Sequence, residues 1–425
     1  MIRYALCGTS NRGIGGFLLP LLGVNGEEDA TLGYGASGED YRDVAEVTAL
    51  VDKDLVRAQA VAAAVKADLP AYSPDQLDEV LANCDCLIVA TPDHTHLEYA
   101  LAAVEAGVEV IVEKPVTTTA ADGRRLLEAA EASGVRVRVA HNLRYAPKHL
   151  RLMEMIQEGA IGRVTQIEYQ HRVDTRHGAG YFLRWNRERA RSGGLSVHKS
   201  SHHLDLLQWW ASARPEVVFG RGARHFYGPD GAYASTAEQP WREDPYFLAQ
   251  GDSNALQPGD RERTGLLGVG YPMEYPVENP LWLYDDAIDV EDTYSAVIGY
   301  AGGVQATYSI DFSSPWEGAT IGISGTAGRL EMRTGRLADG GPLPQGEYAW
   351  WLPLFGEPQP IEVPAVSENG HGGADGLMRA DLFRGATGRT QQLGASASLA
   401  EAVDAVAAGE AIWRSAASGD AIRID

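Results

Sequence analysis

The stretch "IRYALCGTSNRG", Ile2 to Gly13, decides how the chain is read. A short apolar run ends in glycine, a polar turn follows, and "IGGFLLPLL" continues with the content of a buried helix. Strand, glycine turn and helix N-terminus are the parts of a dinucleotide-binding fingerprint. Gly8 and Gly13 take its first and third glycine places. Ser10 takes the second, where a small side chain lets backbone approach a pyrophosphate and a hydroxyl can donate to it. Arg12 is a further cofactor-side candidate. Taken alone, the motif is equally an ordinary strand–turn–helix loop. Asp52, closing "VAEVTALVD", is the acidic partner expected at a ribose, and its charge favours NAD over NADP. It lies farther on than the roughly 20 residues of the simple motif. The polar, glycine-rich "GVNGEEDATLGYGASGEDYRD" reads as an insertion that lengthens the gap. The alternative for Asp52 is a strand-end turn.

Outward from this stretch, strand and helix signals alternate. "LVRAQAVAAAVKAD", "HLEYALAAVEAG" and "AADGRRLLEAAEASG" read as helices; "CDCLIVATP", "VEVIVEKP" and "VRVRVAHN" read as strands. Such alternation means a parallel sheet covered on both faces. The fold class is therefore α/β: an N-terminal Rossmann doubly wound sheet over residues 1–142. Beyond it the pattern changes. "APKHLRLMEMIQEGAIG" reads as a helix, "VTQIEYQHRVD" as a strand and "SSHHLDLLQWW" as a helix. "TYSAVIGYAGGVQATYSIDFSS" and "ATIGISGTAGRLEM" read as hairpins, and "ASLAEAVDAVAAGEAIWRSAASG" as a late helix. Residues 143–425 thus form an α+β domain with a large, mainly antiparallel sheet, interrupted by an irregular insertion at about 221–285.

The chain has 425 residues, 44% hydrophobic and 22% charged, with a net charge of −22. A surface that acidic argues against nucleic acid or anionic membrane as partner. Three cysteines fit a reducing compartment. No apolar run reaches the roughly 18 residues of a membrane span, and the N-terminus lacks a clean cleavage signal. A cytoplasmic location is expected.

"VEKP" (Val112–Pro115), downstream of "ATPDHTH" (Ala90–His96) and upstream of "GGLSVHKSSHHLD" (Gly193–Asp205), resembles the Gfo/Idh/MocA family of nicotinamide-dependent sugar oxidoreductases. The resemblance spans nearly the whole chain, and "IDVEDTYSAVIGY", "SPWEG", "GTAGRLE" and "HGGAD" extend it. It implies an NAD(P)-binding first domain, with Thr91, Pro92 and His96 beside the cofactor. Lys114 would touch both the nicotinamide side and a substrate hydroxyl, positioned by Glu113 and Pro115, the peptide before Pro115 being a cis candidate. The second domain would supply His202 as acid or base. His198 stands where many members carry aspartate, which leaves the identity of the base open. The family also implies a homo-oligomer, dimer or tetramer, formed through the open sheet face.

The chemistry suits these residue types. Removing a hydroxyl proton needs a base that titrates near neutrality, and histidine does so untuned. A lysine beside the same oxygen stabilises the developing alkoxide. On one helix, His198, His202 and Asp205 share a face; Asp205 then orients His202 or binds a sugar hydroxyl, and Lys199 and His203 form a neighbouring row. The alternative is a polar helix start over an apolar "LLQWW" face. His-x3-His spacing suits zinc, yet no glutamate follows His198 and no cysteine is near, so no metal is expected. Arg144 and Tyr145 follow the last strand of the first domain, which makes substrate contact or packing equally open. Tyr145 is also an acid–base candidate. His171, Arg172, Arg176 and His177 add local positive character that suits an anionic sugar, carboxylated or sulfonated, or equally a solvated face, and glycine-flanked His371 is a candidate lining residue. The expected activity is NAD-dependent oxidation at a ring hydroxyl, C3, of a sugar or glycoside. A redox-neutral NAD-dependent glycoside hydrolase and a non-catalytic NAD-binding regulator are the alternatives.

Overall fold

The structure is a computed structural model that describes residues 1–24, 38–232, 234, 262–264, 267, 269–272, 283–363 and 371–424. Most of the 221–285 insertion therefore lies outside the described residues. The chain divides into two compact units.

The first unit takes Met1–Arg151, Glu262–Pro272 and Pro364–Val403. Its sheet contains β1 (Ile2–Cys7), β2 (Ala45–Val51), β3 (Ala71–Tyr72), β4 (Cys86–Val89), β5 (Glu109–Val112) and β6 (Val137–Val139), all parallel, in the order β3-β2-β1-β4-β5-β6. This is the doubly wound order, with its switch point between β1 and β4. Leu6, Leu50, Ile88 and Ile111 are at most 1% exposed. Burial on both faces explains why these strands read as apolar runs, each such side chain stabilising by about 1.5–3 kcal/mol. Local signals set the helices. Asp54 caps Leu55–Ala64 by accepting from the Arg57 amide, and Thr119 caps Ala120–Ser133 by accepting from the Asp122 amide. Gly134 ends the latter helix at φ 69°, a conformation that favours glycine. A short antiparallel pair, β9 (Glu262–Thr264) and β10 (Gly270–Pro272), falls in the same unit.

The sequence reading places everything beyond 142 in the second domain; the structure instead places Pro364–Val403 in the first unit. The reason is side-chain pairing with no sequence signature. On the returning helix Ala374–Arg384, Arg379 pairs with Glu39 at 2.5 Å and Arg384 with Asp43 at 2.7 Å; beyond it, Arg144 pairs with Glu401 at 3.0 Å.

The second unit holds a nine-stranded sheet: β7 (Val164–Asp174), β8 (Pro215–Ala223), β11 (Thr293–Tyr300), β12 (Gln305–Ser314), β13 (Trp316–Gly325), β14 (Gly328–Leu337), β15 (Tyr348–Pro353), β16 (Gln359–Pro360) and β17 (Ile422–Arg423). Their order is β16-β15-β14-β13-β7-β12-β11-β8-β17. β7 and β12 run parallel and the other neighbours antiparallel. Both expected hairpins form, as β11–β12 and β13–β14. The helix Ser201–Ala211 packs on β7, and all eleven of its residues are buried. Among the described residues, no helix is long and apolar enough to cross a membrane.

Candidate active site

In the first unit the turn after β1 is built as tightly as a dinucleotide cradle requires. Gly8 has φ +96°, and a Cβ there would fall 2.5 Å from the Ala90 carbonyl oxygen. A Cβ at Gly13 would fall 2.1 Å from the Gly8 carbonyl oxygen. Only glycine fits either place. Ser10 caps the helix start: its hydroxyl accepts from the Gly13 amide at 3.1 Å and donates to the Ala90 carbonyl at 3.2 Å. The helix Asn11–Gly13 then passes through a π-helical turn, Ile14–Leu18. Asp52 emerges from β2 beside this turn. Its Oδ2 accepts from the Thr9 amide (2.7 Å) and hydroxyl (2.6 Å), and its Oδ1 accepts from the Asp54 amide (3.0 Å). That leaves Oδ1 with capacity for one more donor, such as a ribose hydroxyl. The residues fit a nicotinamide dinucleotide at the switch point.

Across the switch point, at the ends of β4 and β5, His96 ties two loops together. Its Nδ1 lies 2.8 Å from the Pro115 carbonyl and its Nε2 2.9 Å from the Thr91 carbonyl. The Lys114–Pro115 peptide is cis. Glu113 braces the same loop: its Oε2 accepts from the Lys114 amide at 3.2 Å, and its Oε1 accepts from Arg12 Nε at 2.6 Å. Arg12 also donates to Asp375 at 3.1 Å, and Asp375 accepts from Asn142 at 2.8 Å. The Arg12 guanidinium is thus held between two carboxylates, and the Lys114 backbone is positioned by both His96 and Glu113.

Two members of this half escaped the sequence reading. Asp93, in the quoted "ATPDHTH", is 4% exposed; burial pushes its carboxyl up to about 7 against the pull of His96 and Lys114. A buried acid raised toward neutrality within electrostatic reach of a candidate catalytic lysine is the kind of group that functional sites carry. Its only sequence signal was an acid directly after a strand-end proline. Asp375 belongs to "HGGAD", where His371 drew attention; Arg12 lies 363 residues away, so no spacing reveals the pair. The His371 side chain lies outside the described residues.

Arg144 and Tyr145 are buried, at 1% and 3% exposure. Arg144 donates to Glu401, and burial followed by the neighbouring Asp381 pushes the Tyr145 phenol well above its usual range. Both have packing partners inside the first unit.

In the second unit the histidine-rich segment departs from one expectation. A single helix carrying His198, His202 and Asp205 on one face does not form. The ladder breaks between Leu195–His198 and Ser201–Ala211. The Ser200 amide reaches back to the Leu195 carbonyl at 3.1 Å, and the Ser200 hydroxyl donates to the same oxygen at 3.4 Å. This is the usual way serine competes with a helical ladder. His198 is half-buried, with Nε2 3.0 Å from the Asn186 amide nitrogen and its ring edge-on to Trp185 and Tyr181. His202 is 5% exposed and Asp205 1%, the latter accepting from Gln208 at 3.2 Å. His203 is 1% exposed, 2.9 Å from the Tyr308 hydroxyl and stacked on Tyr169, the environment of a core histidine. His171 packs against it at 4.2 Å between centroids.

Lys199 points to a cluster the sequence reading saw only as scattered positive charge. Its Nζ lies 5.8 Å from the Tyr181 ring centroid and within electrostatic reach of Glu317. His177 Nδ1 is 2.8 Å from Glu317 Oε1, and His177 Nε2 is 3.1 Å from the Tyr181 hydroxyl. Burial alone would raise the Glu317 carboxyl; His177, then Lys199 and Asp174, outweigh it and hold the group at about 2. The Arg176 side chain lies outside the described residues. Among the described residues, no three His, Cys, Asp or Glu side chains gather as a metal site.

Comparison with known proteins matches both halves. Residues 23–141 match the oxidoreductase family's NAD-binding Rossmann fold of Gfo/Idh/MocA type, and residues 153–424 match that family's C-terminal α/β domain. The chain is 36% identical to the oxidoreductase YteT of Bacillus subtilis (strain 168), over 98% of this chain and 96% of that protein. Inositol 2-dehydrogenase 1 of Saccharopolyspora erythraea is 37% identical over 30% of this chain and 38% of its own length. Among solved structures, a levoglucosan dehydrogenase complexed with NADH and levoglucosan is similar over 100% of this chain and 99% of that one, at 17% identity and a TM-score of 0.63. The aldose–aldose oxidoreductase of Caulobacter crescentus, complexed with glycerol, gives the same coverage and identity at 0.62. At such identities the two structures show a shared fold.

Proposed function

The chain belongs to the Gfo/Idh/MocA family of NAD(P)-dependent oxidoreductases, and from that premise we propose that it is an NAD-dependent enzyme oxidising a ring hydroxyl, at C3, of a sugar or glycoside. The observation that carries this reading is the braced Lys114 loop at the switch point of a dinucleotide cradle. When bound, the nicotinamide supplies the hydride acceptor. Lys114 keeps a positive charge at the substrate oxygen and stabilises the alkoxide. His202 or His198 takes the hydroxyl proton. Asp52 accepts from a ribose hydroxyl and repels a 2′-phosphate, which supports NAD over NADP. The inositol dehydrogenases among the relatives support a sugar or polyol substrate. A cytoplasmic location and a homo-oligomer belong to the same proposal. Phe219 and Val297, paired across β8 and β11 and 46% and 50% exposed, support a second copy on that sheet face; light scattering tests it.

The second reading, a redox-neutral glycosidase, is favoured by the extra acid–base groups His177, Tyr181 and Glu317, because elimination and hydration need more proton transfers than oxidation alone. One experiment separates the two. The purified chain is assayed with NAD⁺ against free sugars, inositols and aryl glycosides. NADH formation from free sugars supports the dehydrogenase; aglycone release without NADH overturns it. Lys114→Ala is expected to lose roughly 10²–10⁴-fold in kcat while retaining nicotinamide. Full turnover by that variant would overturn the assignment.

A further inference from the structure

We propose that Tyr181, His177 and Glu317 form a proton wire that carries the proton freed in alcohol oxidation from the histidine-rich site out to water. The inference rests on the dehydrogenase reading above.

Three observations carry it. First, the chain of contacts is continuous: Tyr181 hydroxyl to His177 Nε2 at 3.1 Å, His177 Nδ1 to Glu317 Oε1 at 2.8 Å. Second, it runs from inside to outside: Tyr181 is 7% exposed, the His177 side chain 40%. Third, the Tyr181 ring borders a candidate base. The Tyr181 ring lies edge-on to His198 at 5.7 Å between centroids and under the Lys199 ammonium at 5.8 Å. Tyr181 and His177 sit four apart on the helix Thr175–Phe182, so the helix itself sets their spacing.

The charged groups around the wire give it direction. Glu317 from β13 is ionised, so His177 Nδ1 keeps its hydrogen and Nε2 is the basic nitrogen. The Tyr181 hydroxyl then donates to Nε2. Asp174, at the end of β7, accepts from the His177 amide at 3.0 Å. The His198 and Tyr181 rings meet edge-on, with centroids 5.7 Å apart, so the proposed route from His198 to the Tyr181 oxygen runs through a water. The proton's arrival displaces the phenolic proton to His177 Nε2, and the imidazolium releases it to water. Oxidising one secondary alcohol to a ketone passes one hydride to nicotinamide and frees one proton, which is the proton accounted for here. Tyr181, His177 and Glu317 are positioning residues acting through His198. A surface ion pair alone would need no buried phenol, and phenylalanine would fill the same space against Phe312.

The test uses the full chain with NAD⁺ and a panel of free sugars and inositols, in low and high imidazole buffer. Tyr181→Phe keeps every ring contact and removes only the hydroxyl. It is expected to lose roughly tenfold in kcat at low buffer, with the KM for NAD⁺ unchanged. His177→Ala is expected to lose a similar factor and to regain activity with free imidazole. Thermal midpoints near wild type confirm folding of both. Wild-type kcat and buffer independence in both variants overturn the wire, as does a folded His177→Ala that imidazole fails to rescue. No NADH from the wild-type chain with any panel member overturns the dehydrogenase reading itself, a result distinct from both.

Discussion

Glu317→Gln is expected to remove a specific part of the pH dependence of stability. The wild-type carboxyl falls from 4.5 to about 2 because His177 Nδ1, 2.8 Å away, and Lys199 favour its charge more than burial opposes it. The folded state therefore binds this proton more weakly than the unfolded chain does. Stability from this group is present above pH 4.5 and is lost as pH falls from 4.5 toward 2. Converted at 1.36 kcal/mol per tenfold affinity, the shift is worth about 3 kcal/mol. Glu317 itself is only 22% exposed, but His177 is 40% exposed, and solvent screening brings the value nearer 2 kcal/mol. For a unit of this size that is a thermal midpoint about 4 °C lower at neutral pH. Calorimetry of wild type and variant from neutrality down to pH 3 measures it. The midpoints are expected to differ at neutrality and converge on acidification, since Gln has no proton to take up there. A gap that stays constant with pH would refute the reasoning, because it would mean that Glu317 packs rather than pairs.

Three further outcomes are expected. Gly8→Ala puts a Cβ 2.5 Å from the Ala90 carbonyl oxygen at φ +96° and should destabilise the first unit by roughly 2–5 kcal/mol; chemical denaturation checks it, and an unchanged midpoint contradicts the close approach. Asp52→Ala removes the proposed ribose acceptor and the charge proposed to face a 2′-phosphate, so the ratio of NAD to NADP affinity should fall roughly 10–100-fold, read by fluorescence titration of both nucleotides. Asp93→Asn replaces a buried acid that burial raises to about 7. The wild-type residue is neutral and harmless below its unfolded value of 3.8 and costs stability as pH rises through 7. The variant should therefore gain stability on the alkaline side and lose the limb near pH 7 from its kcat/KM profile; an unaltered profile separates Asp93 from Lys114.

Most of the fold was legible because its signals are local. Glycine turns, caps and the switch from alternating strand–helix units to strands in a row all act within a few residues. They yielded the doubly wound parallel sheet, though not β3, together with both hairpins and the late helix Leu399–Ser418. The motif residues Gly8, Ser10, Gly13, Asp52, His96, Glu113 and Lys114 follow the ends of β1, β2, β4 and β5. The tertiary structure alone decided what depends on distant pairs. Arg12 meets Asp375, His177 meets Glu317, and residues 374–403 return to the first unit, because charges taken out of water must find partners wherever the chain brings them. The break at Ser200 likewise depends on a side chain choosing a carbonyl over water. It separates His198 from His202, which the sequence set on one face, and turns His198 toward Tyr181 and the wire proposed to run from it.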